Sequence, residues 1–234
     1  MLRASQNLPQ RLREVRERIA TAAAHANRSV SDITLLAVSK AQPVDMLRAL
    51  VSLEVRDFGE SYLNEAVGKL DALATLPLSW HFVGRLQANK TRVIAERFQW
   101  VHGLDRLHIA ERLSAQRPFH APPLQVCIQV NLAEEASKGG VPPCELGELA
   151  RAVATLPRLR LRGLMCLPPA DSDPARQRAW FARLRALRDT LNDQGGRLDT
   201  LSMGMSADFE SAILEGATVV RIGAALFGPR PARA

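Results

Sequence analysis

Eight short apolar runs, separated by seven stretches of helical periodicity, limit what this chain can fold into more than any other feature. The runs are ITLLAV (33–38), LEVRDFG (53–59), SWHFVG (79–84), FQWVHG (98–103), LQVCIQVN (124–131), LRLRGLM (159–165), DTLSMG (199–204) and ATVVRIG (217–223). Runs of this length, rich in Val, Ile, Leu and aromatics, read as buried strands. Between them lie PVDMLRALVS, SYLNEAVGKLDAL, QANKTRVIAER, RLHIAERLSAQ, PCELGELARAVATL, PARQRAWFARLRALRDTLND and SADFESAILEG. The sixth of these is the clearest helix, with Trp180, Phe181, Leu184, Leu187 and Leu191 on one face. Another amphipathic helix, with Leu8, Leu12, Val15 and Ile19 on one side, precedes the first run. Strands alternating with helices predict βα units and a parallel sheet. Eight of them in 234 residues predict an α/β fold, a single (β/α)8 TIM barrel with an extra N-terminal helix. A 47% hydrophobic composition is enough to fill its core, and neither a linker nor an internal repeat divides residues 1–234 into more than one domain.

A barrel of this kind places its functional residues where the strands end. Those positions are Ser39 and Lys40; Gly59, Glu60 and Ser61; Gly84 and Arg85; Gly103; Asn131; Met165; Met203 to Ser206; and Arg221, Gly223 and Ala224. Lys40 stands out, because the chain has only four lysines against 27 arginines. A lysine at the end of an apolar strand can lose its proton through desolvation and attack a carbonyl, forming a Schiff base. The plain alternative is a lysine snorkelling from the rim into water. In the last two loops, Ser206 is expected as the N-cap of a helix with Asp208 and Glu210 in its first turn. Its hydroxyl and the Gly223 and Ala224 amides form a candidate phosphate cradle, although Ser206 is also fully explained as an ordinary cap. An amine, a phosphate cradle and Arg221 in one mouth suit a small phosphorylated aldehyde, of which pyridoxal 5'-phosphate is the obvious one. Val38, Ser61, His81 and Met203 complete the list of pocket candidates.

Of the remaining lysines, Lys69 is expected to be solvated late in its helix, and Lys90 and Lys138 to serve as gate or phosphate contacts. His81 has the alternative of a satisfied core histidine. His25, His102, His108 and His120 show no ligand spacing, and no metal site is expected. Cys127, Cys144 and Cys166 lack paired or CxxC spacing and are expected to be packing residues. The net charge of +7 is spread over many helices rather than gathered in one basic block, so no nucleic-acid partner is expected. No run has transmembrane length, and MLRASQNLPQRLREVRERIA is too charged for a signal peptide, which predicts a cytoplasmic protein without a membrane partner.

Several segments together resemble one family, the pyridoxal phosphate homeostasis proteins, related to the barrel domain of alanine racemase. They are LLAVSK, DFGESYLNE, WHFVGRLQANKTRVI, VHGLDR, QVNLAEEASKGG, LRGLMCLP, LSMGMSADFESAI and VVRIGAALFGPR, from about residue 33 to 230. The resemblance implies pyridoxal 5'-phosphate carried as an imine on Lys40 of the VSK motif. It also implies phosphate contacts from Ser206, Gly223 and Ala224, and Arg221 near the pyridine nitrogen. Where the family usually reads GEN this chain reads GES, so Ser61 stands in place of an amide side chain.

An arginine beside the ring nitrogen disfavours its protonation, which makes the ring a weak electron sink. Alanine racemase also resembles a two-base enzyme whose second base is a tyrosine from an added β domain. Here Ala234 follows the eighth βα unit directly, and the one tyrosine, Tyr62, lies on the second βα loop. The expectation is therefore a protein that buffers or delivers the cofactor without turnover of its own, as a monomer in transient contact with apoenzymes. The alternatives are a racemase or related lyase of low activity with Lys40 as one base, and an RNA- or partner-binding module that uses the basic surface.

Overall fold

The computed structural model describes residues 7–135 and 139–228. Its strands are β1 (Thr34–Val38), β2 (Asp57–Glu60), β3 (Ser79–Phe82), β4 (Trp100–Leu104), β5 (Leu124–Val130), β6 (Leu159–Cys166), β7 (Thr200–Met205) and β8 (Val219–Ile222). They form a closed parallel barrel in chain order, with β8 paired back to β1. The helices are α1 (Leu8–His25), α2 (Val44–Ser52), α3 (Leu63–Ala72), α4 (Thr91–Arg97), α5 (Leu107–Gln116), α6 (Leu146–Ala154), α7 (Pro174–Asp193), α8 (Phe209–Leu214) and α9 (Ala224–Phe227). This is the (β/α)8 barrel with an N-terminal helix that the sequence predicts.

Two boundaries differ for local reasons. LEVRDFG contributes only its second half to β2. Glu54 has φ 66° and the Val55 N–H bonds Leu50 O at 3.0 Å, so Leu53 to Val55 close the end of α2 instead of opening a strand. QANKTRVIAER begins with a 3₁₀ turn at Ala88–Lys90 before α4.

Strand alternation divides the side chains into two sets. Ala37, Phe58, Trp80, Phe82, Val101, Ile128, Leu164, Leu201, Val220 and Ile222 join the helices in one continuous apolar layer. The opposite parity, including Leu36, His81, His102, Cys127, Met165, Ser202 and Arg221, is buried inside the barrel. Barrel interiors are ordinarily filled with branched apolar residues. This one holds two histidines, a serine and an arginine, and such groups must be paired with one another where water is excluded.

Helix α1 covers the last units of the barrel. Its buried face, Leu8, Leu12, Val15, Ile19, Ala22 and Ala23, joins the outer layer, and each fully buried Leu, Val or Ile is worth about 1.5–3 kcal/mol. Arg11 donates to Phe227 O at 2.9 Å, the Arg18 guanidinium lies 4.5 Å from the Phe209 ring centroid, and Arg28 donates to Ala217 O at 2.7 Å. The four-residue α9 is too short to cover β8, and α1 takes the place of an eighth covering helix.

Candidate functional site

Where β1 ends, β8 decides what lies beside it. Ala37 pairs with Ile222, which sets Val38 next to Gly223. A Cβ on Gly223 would lie 3.6 Å from Val38 O. Ser39 continues the ladder by donating its N–H to Gly59 O at 2.9 Å, and its side chain, on the outward parity, donates to Glu60 Oε1 at 2.6 Å. Lys40, half-buried, follows in the turn that Gln42 N closes on Ser39 O. The register of β1 on β8 thus brings the turn that carries Lys40 to the end of the strand beside Gly223.

The seventh loop reaches the same place through a bulge. Ser202 pairs with Val219, but Met205 pairs with Arg221, so one extra residue is inserted in β7. Gly204 absorbs it at φ 88°, where a Cβ would come within 2.6 Å of Ala212 Cβ. The bulge carries Ser206 over β8, and here the expected cap is corrected. Asp208, not Ser206, is the N-cap of α8, and its Oδ1 accepts from Met205 N at 2.6 Å. Ser206 Oγ caps the other chain end instead, accepting from Gly223 N at 3.3 Å and Ala225 N at 3.1 Å. The Leu226 and Phe227 N–H groups both bond Gly223 O. Of the first-turn donors of α9, this leaves the Ala224 N–H, on an exposed residue, for an acceptor from outside.

Arg221, buried under this cradle, ties three strands together. Its Nη1 donates to Ser202 O at 2.5 Å and Ser202 Oγ at 2.9 Å, and its Nη2 donates to Cys166 O at 2.8 Å. From Ser202 a chain of hydrogen bonds runs down the lumen. Ser202 Oγ lies 2.7 Å from His102 Nδ1, His102 Nε2 lies 2.9 Å from His81 Nδ1, and His81 Nε2 lies 3.1 Å from Asp57 Oδ1 and 3.0 Å from Ser79 Oγ. Its two ends fix every proton in between. A guanidinium only donates and a carboxylate only accepts. Ser202 therefore accepts from Arg221 and donates to His102 Nδ1, His102 donates from Nε2 to His81 Nδ1, and His81 donates from Nε2 to Asp57. Trp100 stacks on His81 with ring centroids 5.5 Å apart and planes 4° from parallel.

Burial holds both imidazoles neutral. It lowers His81 against the opposing pull of Asp57, and it drives His102 well below 6.5, assisted by His81 and Arg221. Burial also lowers the Arg221 guanidinium and raises the Cys127 and Cys166 thiols to about 12. A pH dependence follows. Below about pH 6.5 the unfolded chain binds protons that the folded imidazoles refuse, so stability falls as pH falls. His102, driven furthest down, carries the larger share of this loss. Burial raises Glu60, which acts in the opposite sense and offsets part of this. Long-range ¹⁵N correlation spectra should show His102 neutral and protonated on Nε2 at pH 5.5, and an imidazolium signal there would contradict the chain of donors.

Among the other candidates, His81 lies in the lumen, satisfied by hydrogen bonds, and Ser61 follows β2, its backbone so close to Gly84 that a Cβ there would fall 2.2 Å from Ser61 O. The Met203 side chain is fully buried in the outer apolar layer. Lys90 ends the Ala88–Lys90 turn, and Lys138 lies outside the described residues. Lys69 is not solvated as expected: it is 4% exposed and paired with Glu60. Cys127 and Cys166 are buried, whereas Cys144 is exposed and does not pack as expected. No group of three or more potential metal ligands occurs among the described residues. Sequence reasoning missed His102, Ser202 and Asp57. The available signal was parity, since His102 lies two residues from Trp100, the register partner of His81.

Comparison with known proteins bears on this arrangement. The sequence model of the alanine racemase N-terminal domain family matches residues 11–231. A pyridoxal phosphate homeostasis protein of Pseudomonas aeruginosa is 56% identical over 223 residues, 95% of this chain and 96% of that protein. The chain belongs to the pyridoxal phosphate homeostasis protein family. The Escherichia coli K12 member of that family is 48% identical over 222 residues, 94% of this chain and 95% of its own length. PipY of Synechococcus elongatus PCC7942, solved with PLP bound, superposes with a TM-score of 0.80 at 36% identity, covering 92% of this chain and 100% of PipY. Alanine racemase of Clostridium difficile 630 shares the fold, with a TM-score of 0.74 at 15% identity, over 97% of this chain and 58% of that enzyme. Part of that larger chain thus has the same barrel fold.

Proposed function

We propose that this chain, read as one barrel domain over residues 1–234, binds pyridoxal 5'-phosphate on Lys40 and buffers or delivers it without turnover of its own. The observation that carries this is the β1–β8 register, which sets Lys40 beside the Ser206-capped start of α9 with Arg221 beneath. The cofactor's aldehyde condenses reversibly with a primary amine and releases water. Lys40 is the amine, and the Ala224 N–H, with the backbone around Gly223 fixed by Ser206, receives the phosphate. Three of the five N–H groups of Arg221 are committed to protein acceptors. The remaining two can only donate, so they suit a ring nitrogen that is an acceptor and oppose its protonation. The two neutral histidines keep a second positive charge out of the lumen.

Delivery calls for transient contact with apoenzymes, and the rim of the mouth supports it. Tyr62, Leu167 and Met205, on the chain after β2, after β6 and at the end of β7, are 53%, 37% and 40% exposed. A monomer acting in the cytoplasm suits this role, and no helix among the described residues is long and apolar enough to cross a membrane. Gel filtration of protein mixed with excess cofactor should retain one equivalent per chain. Incubation of that complex with L- and D-amino acids in deuterated water should give no Lys40-dependent α-deuteration at turnover rates. Failure to retain cofactor overturns the whole reading, whereas deuteration overturns the carrier half and favours a racemase.

A further inference from the structure

We propose that Lys69 is a positioning residue for Lys40, holding the turn that presents its amine; the inference rests on the reading of Lys40 given above. Residues 39–42 form a tight turn closed by Gln42 N donating to Ser39 O at 3.0 Å. Lys40 is the second residue of the turn. Ala41, the third, has φ 60°, a left-handed conformation that a residue with a Cβ adopts only when its surroundings impose it.

The imposing groups stand behind the barrel wall, on β2 and α3. The Lys69 ammonium donates to Ser39 O at 2.6 Å, to Glu60 Oε1 at 2.8 Å and to Glu65 Oε1, which uses all three of its protons. Glu65 Oε1 also accepts from the Ala41 N–H at 2.6 Å. The carbonyl before Lys40 and the amide after it are therefore gripped by one ion cluster, the first by Lys69 directly and the second by the carboxylate that Lys69 holds. Glu60 anchors the cluster from inside. Its side chain is fully buried, it accepts from Ser39 Oγ, and its Oε2 has no partner among the described residues. A buried carboxylate with one bare oxygen is a costly arrangement, and here it keeps the ammonium from turning away from Ser39. Lys69 and Glu65 are one helical turn apart on α3, so they meet without strain. Lys40 thus has its backbone place set by bonds to the carbonyl before it and the amide after it.

The test compares wild type, Lys40→Ala, Lys69→Met/Glu60→Gln and Glu65→Ala. The double variant removes the buried cation together with its buried anion, so no lone charge is left inside. Three readouts are taken: hydrogen exchange at the Ala41 and Gln42 amides of the cofactor-free protein, its melting temperature, and the equilibrium constant for borohydride-trappable linkage of pyridoxal 5'-phosphate to Lys40. The expected result is exchange at these two amides faster by roughly tenfold or more and linkage weaker by about tenfold in the double variant, with the cofactor-free protein still folded. Glu65→Ala, which touches no buried charge other than Lys69, should show the same pattern at about threefold. It decides the matter if the double variant fails to fold. Folded variants with wild-type exchange and wild-type linkage overturn the proposal. Loss of linkage with unchanged exchange also overturns it, because Lys69 would then act by charge and not by position. If wild-type protein itself shows no linkage that Lys40→Ala abolishes, it is the functional reading that fails.

Discussion

A Lys40→Ala chain should fold as the wild type does, bind pyridoxal 5'-phosphate at least tenfold more weakly, and yield no cofactor-bearing peptide after borohydride reduction. Folding should survive because the half-buried Lys40 side chain is no part of the apolar layer, and the backbone bonds of its turn run through Ser39, Ala41 and Gln42. Weak residual binding should persist through the Ala224 N–H and Arg221, which do not depend on residue 40. An absorption spectrum before and after reduction, followed by peptide mass mapping, measures both halves. A reduced adduct found on another lysine in the wild type would displace Lys40 from its assigned role. Lys69, behind the turn that carries Lys40, has all its protons committed, so it is a poor competitor.

Arg221→Met should lower stability by about 3 kcal/mol. The change strands Ser202 O, Ser202 Oγ and Cys166 O, three acceptors that now share two guanidinium nitrogens inside the barrel. A buried acceptor left without a donor costs about 1–3 kcal/mol, and relief of the desolvated charge returns part of the total. For a domain of this size the melting temperature should fall by roughly 6–12 °C. Arg221→Lys should lie between the two, since one ammonium cannot span Ser202 on β7 and Cys166 on β6 with a planar fork. Thermal denaturation of the cofactor-free proteins measures this without reference to cofactor binding. A methionine variant as stable as wild type would mean that water enters the lumen to serve the freed carbonyls.

The barrel itself was legible because periodicity is a local property: eight apolar runs and seven helical stretches each announce themselves within about ten residues. The positions of Arg221, a charge within apolar β8, and of Lys40, two residues past the end of apolar β1, were legible for the same reason. The role of Ser206 was not. An N-cap reading uses only the residues that follow, whereas the observed cap joins Ser206 to Gly223 and Ala225 through a bulge that a single glycine allows. Lys69 escaped for a related reason. Helical spacing marks its neighbours Ala66 and Leu70 as buried but gives no sign that Glu60 and Ser39 O wait at that depth to receive an ammonium. The lumen chain needed the register of four strands, β2, β3, β4 and β7, before Asp57, His81, His102 and Ser202 could be seen as one path.

The closing pair of the barrel also orders events in time. Lys40 and Ala224 are nearly the whole chain apart in sequence, and only the pairing of β1 with β8 brings them together. Contacts across so long a loop form late, after local units have already condensed. On the reading proposed above, a ribosome-bound chain that has not yet released β8 carries Lys40 without the α9 backbone that would seat the phosphate. Tight capture of the cofactor would then mark a finished molecule, and loading would report on the completion of the fold.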